Sequence, residues 1–384
     1  MEEGKRFSFE IGPIRPPSEA YSLLLRLTRN CPWNKCLFCH IYKGRRFERR
    51  SVEEVKADIE AVWNISQELK FLSWRLGCGG DVTQELVQHV FSRPQYDECF
   101  RMVALWLYLG GKSVFLQDAN SLVMRTEDLA SILRFLKEKF PQIERVTSYA
   151  RSRTVAKTKT VEELKELREA GLTRLHLGLE TGWDFLLEYM KKGVTAAQHI
   201  EAGQKIMASG IELSEYVILG LGGRRWWREH ASETARVLNQ INPHFIRIRT
   251  LMVLPQMPLY EKIQKGEFEL QSEEEMIVEE RLLIENLEAK SYFTSDHILN
   301  LLGELEGQLP EEKERLLGII DRFLSLPKEE KLNFCVGRRA GIYQQMDDMA
   351  DPYLYQKVET LKEQLRRHPE GVEGAIFRMK EAFL

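Results

Sequence analysis

The alternation of short apolar runs with helical segments most constrains what this chain of 384 residues can fold into. The runs are nearly continuous in apolar character, as expected of parallel strands covered on both faces. Runs of this kind, each followed by a helical pattern, predict a parallel sheet with right-handed crossovers. The six candidate strands are YSLLLRLT (21–28), SVFLQD (113–118), RVTSYA (145–150), RLHLGLE (174–180), LSEYVILG (213–220) and FIRIRTLMVL (245–254). We therefore predict an α/β fold, a partial (β/α)6 TIM-like barrel.

The starts of several helices are marked by the capping-box pattern, in which a Ser or Thr is followed three residues later by Glu or Gln. The two side chains of such a box bond each other's backbone amides, which satisfies groups that a helix start otherwise leaves unpaired. The pattern occurs at Ser51–Glu54, Thr160–Glu163, Thr195–Gln198 and Ser272–Glu275. These positions predict helices that begin directly after each box.

Two regions depart from the alternation. Residues 64–111 are too long for a simple connection and are predicted to form a mostly helical insertion. The strand pattern stops near residue 261, so residues 261–384 are predicted to be a helical C-terminal region, with one helix over SDHILNLLGEL (295–305). The predicted domains are an N-terminal extension (1–20), a barrel (21–260) that carries the insertion, and the C-terminal helices.

The composition is that of an ordinary folded protein, with 43% hydrophobic residues, 29% charged residues and a net charge of −3. No global field points to a nucleic acid or a membrane as partner. The N-terminus lacks an apolar signal, and the most apolar run, MVALWLYLGG (102–111), is too short to span a bilayer. We expect a cytoplasmic protein, in which grouped cysteines are metal ligands rather than disulfides.

Cys31, Cys36 and Cys39 have the spacing C-x4-C-x2-C and follow the first candidate strand. They should therefore lie at a strand's carboxyl end, where the active sites of parallel β/α folds are built. Thiolates suit zinc or the iron of an iron–sulfur cluster, and a redox pair is a third possibility. Zinc would need a fourth ligand, and His40 is awkward because it adjoins Cys39. A cubane cluster held by three cysteines instead leaves one iron open to a small chelating ligand.

Two stretches resemble the radical S-adenosylmethionine (radical SAM) enzymes, namely Cys36-Leu37-Phe38-Cys39 and the run from LREAGL to LGLGG (167–223). The similarity is to the subgroup that contains the elongator acetyltransferase subunit, methylthiotransferases and coproporphyrinogen dehydrogenase-like proteins. The usual motif is C-x3-C-x-Φ-C, where Φ is aromatic, and this chain has one more residue in the first gap. The resemblance implies a 4Fe–4S cluster on the three cysteines, SAM at the open iron, and reductive cleavage of SAM to a 5′-deoxyadenosyl radical that abstracts hydrogen from a substrate.

The resemblance also implies which residues contact SAM. Polar side chains at the strand ends would bind its methionyl and ribose groups, and apolar ones would lie beside its adenine, near the glycine motif VILGLGG (217–223). These implied contacts are Phe38, Gln117, Asp118, Ser148, Arg151, Glu180 and Leu254.

A small-molecule substrate and a reductant such as flavodoxin or ferredoxin are the expected partners. Substrate-contacting candidates, for which core packing or a surface position is the competing interpretation, are Tyr149, Trp226, Trp227, Arg249, Tyr292, Asp296 and His297. The alternative function is a non-catalytic metal- or heme-binding protein in which the cysteine triplet only braces a loop.

Overall fold

The computed structural model describes residues 7–367 and 371–382, so the first six residues of the predicted N-terminal extension lie outside it. Its strands are β1 (Leu23–Arg26), β2 (Thr28–Arg29), β3 (Glu48–Arg49), β4 (Ser113–Gln117), β5 (Arg145–Ala150), β6 (Arg174–Glu180), β7 (Glu212–Leu219), β8 (Phe245–Thr250), β9 (Tyr292–Thr294) and β10 (Glu306–Gln308). Its α-helices are α1 (Val52–Arg75), α2 (Gln84–Phe91), α3 (Glu98–Tyr108), α4 (Thr126–Lys139), α5 (Ser152–Thr158), α6 (Val161–Ala170), α7 (Asp184–Tyr189), α8 (Ala196–Ser209), α9 (Gly223–Ile241), α10 (Pro258–Gln264), α11 (Glu273–Asn286), α12 (Lys313–Ser325), α13 (Lys328–Arg339), α14 (Pro352–Arg366) and α15 (Gly371–Glu381).

The chain divides into two compact units. The first comprises Met1–Asn34, Ile41–Leu177 and Lys205–Leu213, and the second comprises Lys35–His40, Gly178–Gln204 and Ser214–Leu384. The division passes through the cysteine segment, so Cys31 belongs to the first unit, whereas Cys36 and Cys39 belong to the second. The domain boundaries drawn from the sequence stay a prediction.

In the first unit, β1, β4, β5 and β6 pair in parallel in that order. The register places Leu25 opposite Leu116, and Leu116 opposite Ser148, with all three side chains buried. The region predicted to be a helical insertion contains the end of α1 together with α2 and α3. A short antiparallel pair, β2 with β3, lies on either side of the cysteine segment in the chain.

In the second unit, β7 pairs with β8 and β8 with β9 in parallel, and β10 is antiparallel to β9. The predicted α/β class, with parallel strands alternating with helices, is confirmed, and all six predicted strands are present. The C-terminal region is mainly helical, as predicted, but it also contains β9 and β10. Each of these strands has three residues, which is too short for a readable period.

The predicted helix over 295–305 is wrong, because these residues form turns. Long-range hydrogen bonds hold them in place of helical ones. The side chain of Asn300 donates to the carbonyl of Ile248 (3.0 Å) and to Ser295 Oγ (2.9 Å). The apolar residues of segment 295–305 are therefore spaced for burial in turns, and they do not form one face of a helix.

The capping boxes are confirmed. Ser51, Thr160 and Ser272 each make both reciprocal bonds, and Thr195 and Gln198 make the same pair at 3.3 Å each. Local chemistry therefore sets these helix starts. In the part of the chain that the structure describes, no helix combines the length and the apolar character needed to cross a bilayer.

Candidate functional site

Cys31 lies in a loop of the first unit that two asparagines shape. Asn30 and Asn34 have left-handed backbones (φ 70° and 50°), which asparagine tolerates better than most residues. The amide of Asn34 donates to Cys31 Sγ (3.4 Å), and its side-chain amide donates to the carbonyl of Tyr42. The amide of Asn34 therefore helps to fix the position of the Cys31 sulfur.

Asp118 anchors both sides of this loop. Its fully buried carboxylate accepts hydrogen bonds from Arg26 Nε (2.8 Å), the amide of Asn30 (3.0 Å) and the hydroxyl of Tyr42 (2.7 Å). Burial, followed by the charge of Asp118, raises the pKa of Tyr42 well above its usual range. Tyr42 therefore stays protonated and donates. The structure thus gives Asp118 a positioning contact with the residue before Cys31, and its predicted contact with SAM stays a prediction.

The N-terminal extension holds the same strand ends. The side chain of Gln117 accepts from the amide of Gly12 (2.7 Å) and donates to the carbonyl of Ile14 (2.7 Å). A Cβ on Gly12 would come within 3.0 Å of Asp118 Oδ1, so only glycine fits there without displacement. Gln117 is therefore engaged by the chain itself, a contact across more than a hundred residues that the sequence pattern did not indicate.

Glu10, which also belongs to this extension, forms ion pairs with three arginines. It lies 2.9 Å from Arg26, 2.6 Å from Arg29 and 3.5 Å from Arg50. Burial alone would raise the pKa of its carboxyl, but the hydrogen bond from Arg29 and the arginine charges outweigh burial and lower it. Glu10 is thus an ionised link between β1 and the start of the cysteine segment.

Two further predicted residues lie in the first unit. Ser148 is buried and donates to Ser121 Oγ (2.8 Å), as expected of a satisfied core hydroxyl. The guanidinium of Arg151 lies 5.2 Å from the ring centre of Trp33, and that of Arg153 lies 5.7 Å from it. Trp33 stands between Cys31 and Cys36 in the chain, so two cations at cation–π distance steady the middle of the cysteine segment.

In the second unit, backbone bonds hold Leu37, which lies between Cys36 and Cys39. Its amide donates to the carbonyl of Met190 (3.0 Å), and its carbonyl accepts from the amide of Leu259 (3.0 Å). Its buried side chain belongs to an apolar cluster that includes Leu254, and Phe38 packs against the same cluster. The structure therefore brings together Phe38 and Leu254, the two residues predicted to lie beside adenine.

Glu180 ends β6 with an unusual backbone and a paired side chain. Its φ is +63°, which is uncommon outside glycine and clusters at functional sites. Lys192 Nζ lies 2.8 Å from Glu180 Oε1 and 5.7 Å from the ring centre of Phe38. A Cβ on Gly178 would clash with the Glu180 carboxylate, so that glycine leaves room for the pair. Sequence analysis missed Lys192, although a cation soon after the strand that ends in Glu180 was a usable signal.

Glu215 of β7 is a second carboxyl near this pair. It is fully buried, and neither of its oxygens has a hydrogen-bond partner within the described residues. Burial, followed by the charge of Glu180, raises its pKa well above the usual range, and Lys192 offsets only part of that effect. Glu215 therefore favours its neutral form more strongly than an ordinary carboxyl does.

The glycine motif after β7 is held by a buried acid. Gly220 has φ +82°, and its amide donates to Glu279 Oε1 (2.9 Å). His230 Nε2 lies 3.4 Å from the same oxygen and 3.1 Å from the carbonyl of Ile218. Burial lowers the pKa of His230 to about 4, so its ring is neutral near pH 7 and its contact with Glu279 is not an ion pair.

Glu279 gives a testable dependence on pH. Burial raises its pKa from 4.5 to about 8, against the opposing hydrogen bond from Gly220. Between these values the folded protein keeps a proton that the unfolded chain has lost, so the free energy of unfolding falls as pH rises. The slope from one such group is at most about 1.4 kcal/mol per pH unit. Glu279→Gln keeps an acceptor for Gly220 but cannot titrate, so we expect its thermal midpoint to fall less steeply over this window.

The matched control for that experiment is Glu285→Gln, an exposed carboxylate on the same helix that pairs with Arg281 (3.1 Å). It should keep the wild-type slope. Glu280, whose pKa burial also raises to about 8, accounts for the slope that remains in Glu279→Gln. If the thermal midpoints of wild type and Glu279→Gln fall equally steeply with pH, the pKa of Glu279 is not raised by burial.

The substrate candidates have structural partners. Trp226 packs against Tyr189 (4.8 Å between ring centres) and Phe185 (5.2 Å), and Tyr149 packs against Phe115 (5.2 Å). These rings contribute to packing, whatever further contacts they make. Arg249 and Asp296 lie 3.5 Å apart across β8 and the turns after β9.

The three cysteines of the predicted ligand set share a similar degree of burial. None of the six cysteines is in a disulfide, and Cys31, Cys36 and Cys39 are all half-buried, whereas Cys99 and Cys335 are buried. Within the residues described, no three His, Cys, Asp or Glu side chains converge as they would around a single ion. Each thiolate of a three-cysteine cubane binds a different iron, so a cluster does not require the convergence that zinc does. Cys31, Cys36 and Cys39, which are half-buried and in no disulfide, keep their ligand role as a prediction.

Residues 89–235 match the family model described as the radical SAM superfamily. A tRNA uridine(34) acetyltransferase of Methanocaldococcus jannaschii is 28% identical over 117 residues, which is 30% of this chain and 22% of that protein. An uncharacterized protein of the same archaeon is 29% identical over 103 residues, 27% of this chain and 31% of that protein. The matches thus span less than a third of the length of these relatives.

The solved structures that the chain matches have low identity to it and TM-scores below 0.5. The archaeal Methanocaldococcus infernus Elp3 with an N-terminal deletion has a TM-score of 0.40 and 18% identity, covering 47% of this chain and 46% of that chain. The cobalamin-dependent S-adenosylmethionine radical enzyme OxsB has a TM-score of 0.46 and 15% identity, covering 94% of this chain and 58% of that chain.

Proposed function

We propose that this chain, which carries a radical SAM domain of the elongator and coproporphyrinogen dehydrogenase-like type, binds a cluster through Cys31, Cys36 and Cys39 and cleaves SAM reductively. A 4Fe–4S cluster and SAM are the cofactors of this superfamily, in agreement with the sequence prediction. When bound, they supply a 5′-deoxyadenosyl radical, which would abstract hydrogen from the substrate. The chain's own residues position these groups and exclude water.

The observation that supports the proposal most strongly is the ion pair between Glu180 and Lys192 beside Phe38. The methionyl part of SAM is a zwitterion, and a carboxylate next to an ammonium offers it one partner of each sign. Phe38 and Leu254, in one apolar environment, suit adenine. Leu37, fixed between Met190 and Leu259, would keep Cys36 and Cys39 on the same side of the second unit as these groups.

Substituting Lys192 tests this arrangement. Lys192→Met should weaken SAM binding at least tenfold, as expected when one partner of a buried charge contact is lost, roughly in line with measured charge pairs. The matched control is Lys191→Met, because Lys191 is the exposed neighbour. Binding is measured anaerobically on reconstituted protein by equilibrium dialysis with labelled SAM. If the two variants bind SAM with equal affinity, Lys192 does not contact SAM.

Activity is tested by product formation. Anaerobic reconstitution should give about four irons per chain and a broad visible absorption band. Addition of dithionite and SAM should release 5′-deoxyadenosine and methionine. A colourless protein that holds one tightly bound zinc would support the structural alternative. Heme titration separates the heme-binding alternative, since that function predicts stoichiometric heme binding without cleavage of SAM.

The partners follow from the chemistry. A one-electron donor such as flavodoxin or ferredoxin is proposed, because the cluster must be reduced before SAM is cleaved. The first candidate substrate is a small molecule. A tRNA is the second, because exposed Arg225 and Arg228 lie 5.4 Å and 4.3 Å from the rings of Trp226 and Trp227, a combination that suits bases and phosphates. Salt-dependent binding of tRNA that Trp227→Ala abolishes would favour the second candidate over the first.

A further inference from the structure

The sequence FIRIRT places Arg247 and Arg249 on one face of β8, because successive strand side chains point to opposite faces. The pairing with β7 sets Arg247 opposite Tyr216 and Phe245 opposite Ser214. Arg249 lies 4.7 Å from the ring centre of Tyr216, and Arg247 lies 5.5 Å from that of Phe245. Two guanidinium groups are therefore stacked on rings and held side by side.

The negative charge near these two guanidinium groups does not balance their positive charge. Their side chains are 9% and 15% exposed, and both use one carboxylate, that of Asp296, at 3.5 Å each. Charge-assisted contacts are normally about 2.7–2.9 Å long. Other buried arginines of the chain have closer carboxylates, since Arg339 lies 2.5 Å from Glu273 and Arg50 lies 2.5 Å from Asp58. The face thus carries two positive charges against one distant, partly exposed negative charge.

Donors on this face are also left over. Among the residues that the structure describes, Arg247 Nε, Arg249 Nη2 and Ser214 Oγ are buried and have no hydrogen-bond partner. Leaving such groups unpaired is costly, and native proteins rarely do so without a ligand, a water or a strained functional site. The pKa of the neighbouring His297 is lowered to about 4, first by burial and then by the charge of Arg249, so the histidine adds no positive charge near pH 7.

We propose that Arg247 and Arg249 bind an oxyanion of the substrate, a carboxylate or a phosphate. The inference rests on the proposed function, since it names the chemical class of the molecule from which hydrogen is abstracted. A planar guanidinium fork matches both groups bidentately. The anion would take the donors that Asp296 leaves unpaired and would neutralise the remaining positive charge. Asp296 then competes with the anion rather than assisting it.

Because of this competition, the two substitutions should change the affinity for the anion in opposite directions. Inorganic phosphate and acetate are the probes, titrated by calorimetry at low salt into the full chain after anaerobic reconstitution. Arg249→Gln should weaken binding of the better probe by at least about tenfold, the usual cost of one truncated charged contact. Asp296→Asn should tighten it several-fold, because it removes the competing carboxylate. Arg236→Gln, whose arginine pairs with Glu233 on the surface, should change nothing.

The outcomes are distinguishable from a failure of the proposed function. SAM binding is measured in the same variants and should be unchanged, with no competition between SAM and the probe. Anion binding that depends on Arg249 in a protein that never binds SAM would leave the site intact and refute the proposed function. Absence of saturable anion binding, no tightening in Asp296→Asn, or loss of SAM binding in Arg249→Gln would overturn the inference. Asp296→Asn changes a half-exposed residue, so it tests the proposal even if Arg249→Gln fails to fold.

Discussion

Replacing Cys36 by alanine is expected to abolish iron binding and SAM cleavage while leaving the fold intact. Cys36 is half-buried and in no disulfide, and it lies in a segment without helix or strand, so its removal creates no core cavity. A cubane needs each of its three thiolates, and loss of one should lower cleavage below detection. The measurements are iron per chain, 5′-deoxyadenosine formed, and the far-ultraviolet circular dichroism of the variant.

The matched control is Cys335→Ala. Cys335 lies buried in α13, and burial raises the pKa of its thiol above the usual range, so it is an inert core thiol. This variant should keep its iron and its activity, with a modest loss of stability from the smaller side chain. A Cys36→Ala protein that still cleaves SAM at the wild-type rate would contradict the cysteine assignment. A Cys36→Ala protein that unfolds would favour a structural metal.

Asp118→Ala should be the most destabilising single change at the site. It leaves Arg26, only 12% exposed, with Glu10 as its remaining partner, and it leaves Tyr42 and the amide of Asn30 without their acceptor. Breaking a buried pair in this way costs about 3–5 kcal/mol of the free energy of unfolding. Because Asn30 precedes Cys31, we also expect less iron per chain after reconstitution. Urea unfolding under anaerobic conditions gives the first quantity and iron analysis the second.

Tyr42→Phe separates these effects. It removes one hydrogen bond to Asp118 and keeps the contacts from Arg26 and Asn30, so it should cost about 1–3 kcal/mol. Its iron content should stay near the wild-type value. If Asp118→Ala matches wild type in both stability and iron, Asp118 does not anchor the cysteine segment, and its predicted contact with SAM regains priority.

The strands of the α/β repeat could be predicted because each is a continuous apolar run. RVTSYA and RLHLGLE correspond residue for residue to β5 and β6, since burial on both faces leaves a local signal. The capping boxes were equally readable because both partners lie within three residues of one another. β9, with the sequence YFT, and β10, with EGQ, are too short to carry such a signal, and β9 pairs with β8, which lies far back in the chain.

The site was only partly predictable, for a related reason. Phe38, Leu254 and Glu180 were assigned to SAM by resemblance, which stays a prediction, and the structure puts Phe38 and Leu254 in one apolar environment. Gln117 and Asp118 were expected to face a ligand because they follow a strand. Their actual partners, Gly12 and Arg26, come from distant positions that no local pattern reveals. The ion pair that Lys192 makes is likewise a tertiary contact.

The central claim is that three thiolates hold a cluster with one iron open to SAM. Mössbauer spectroscopy of protein reconstituted with isotopically enriched iron tests it most directly, because the method reports each iron separately. We expect SAM to change the signal of about one quarter of the iron and to leave the signal of the rest unchanged. If SAM changes none of the iron signals in fully loaded protein, the cluster has no iron that is open to SAM.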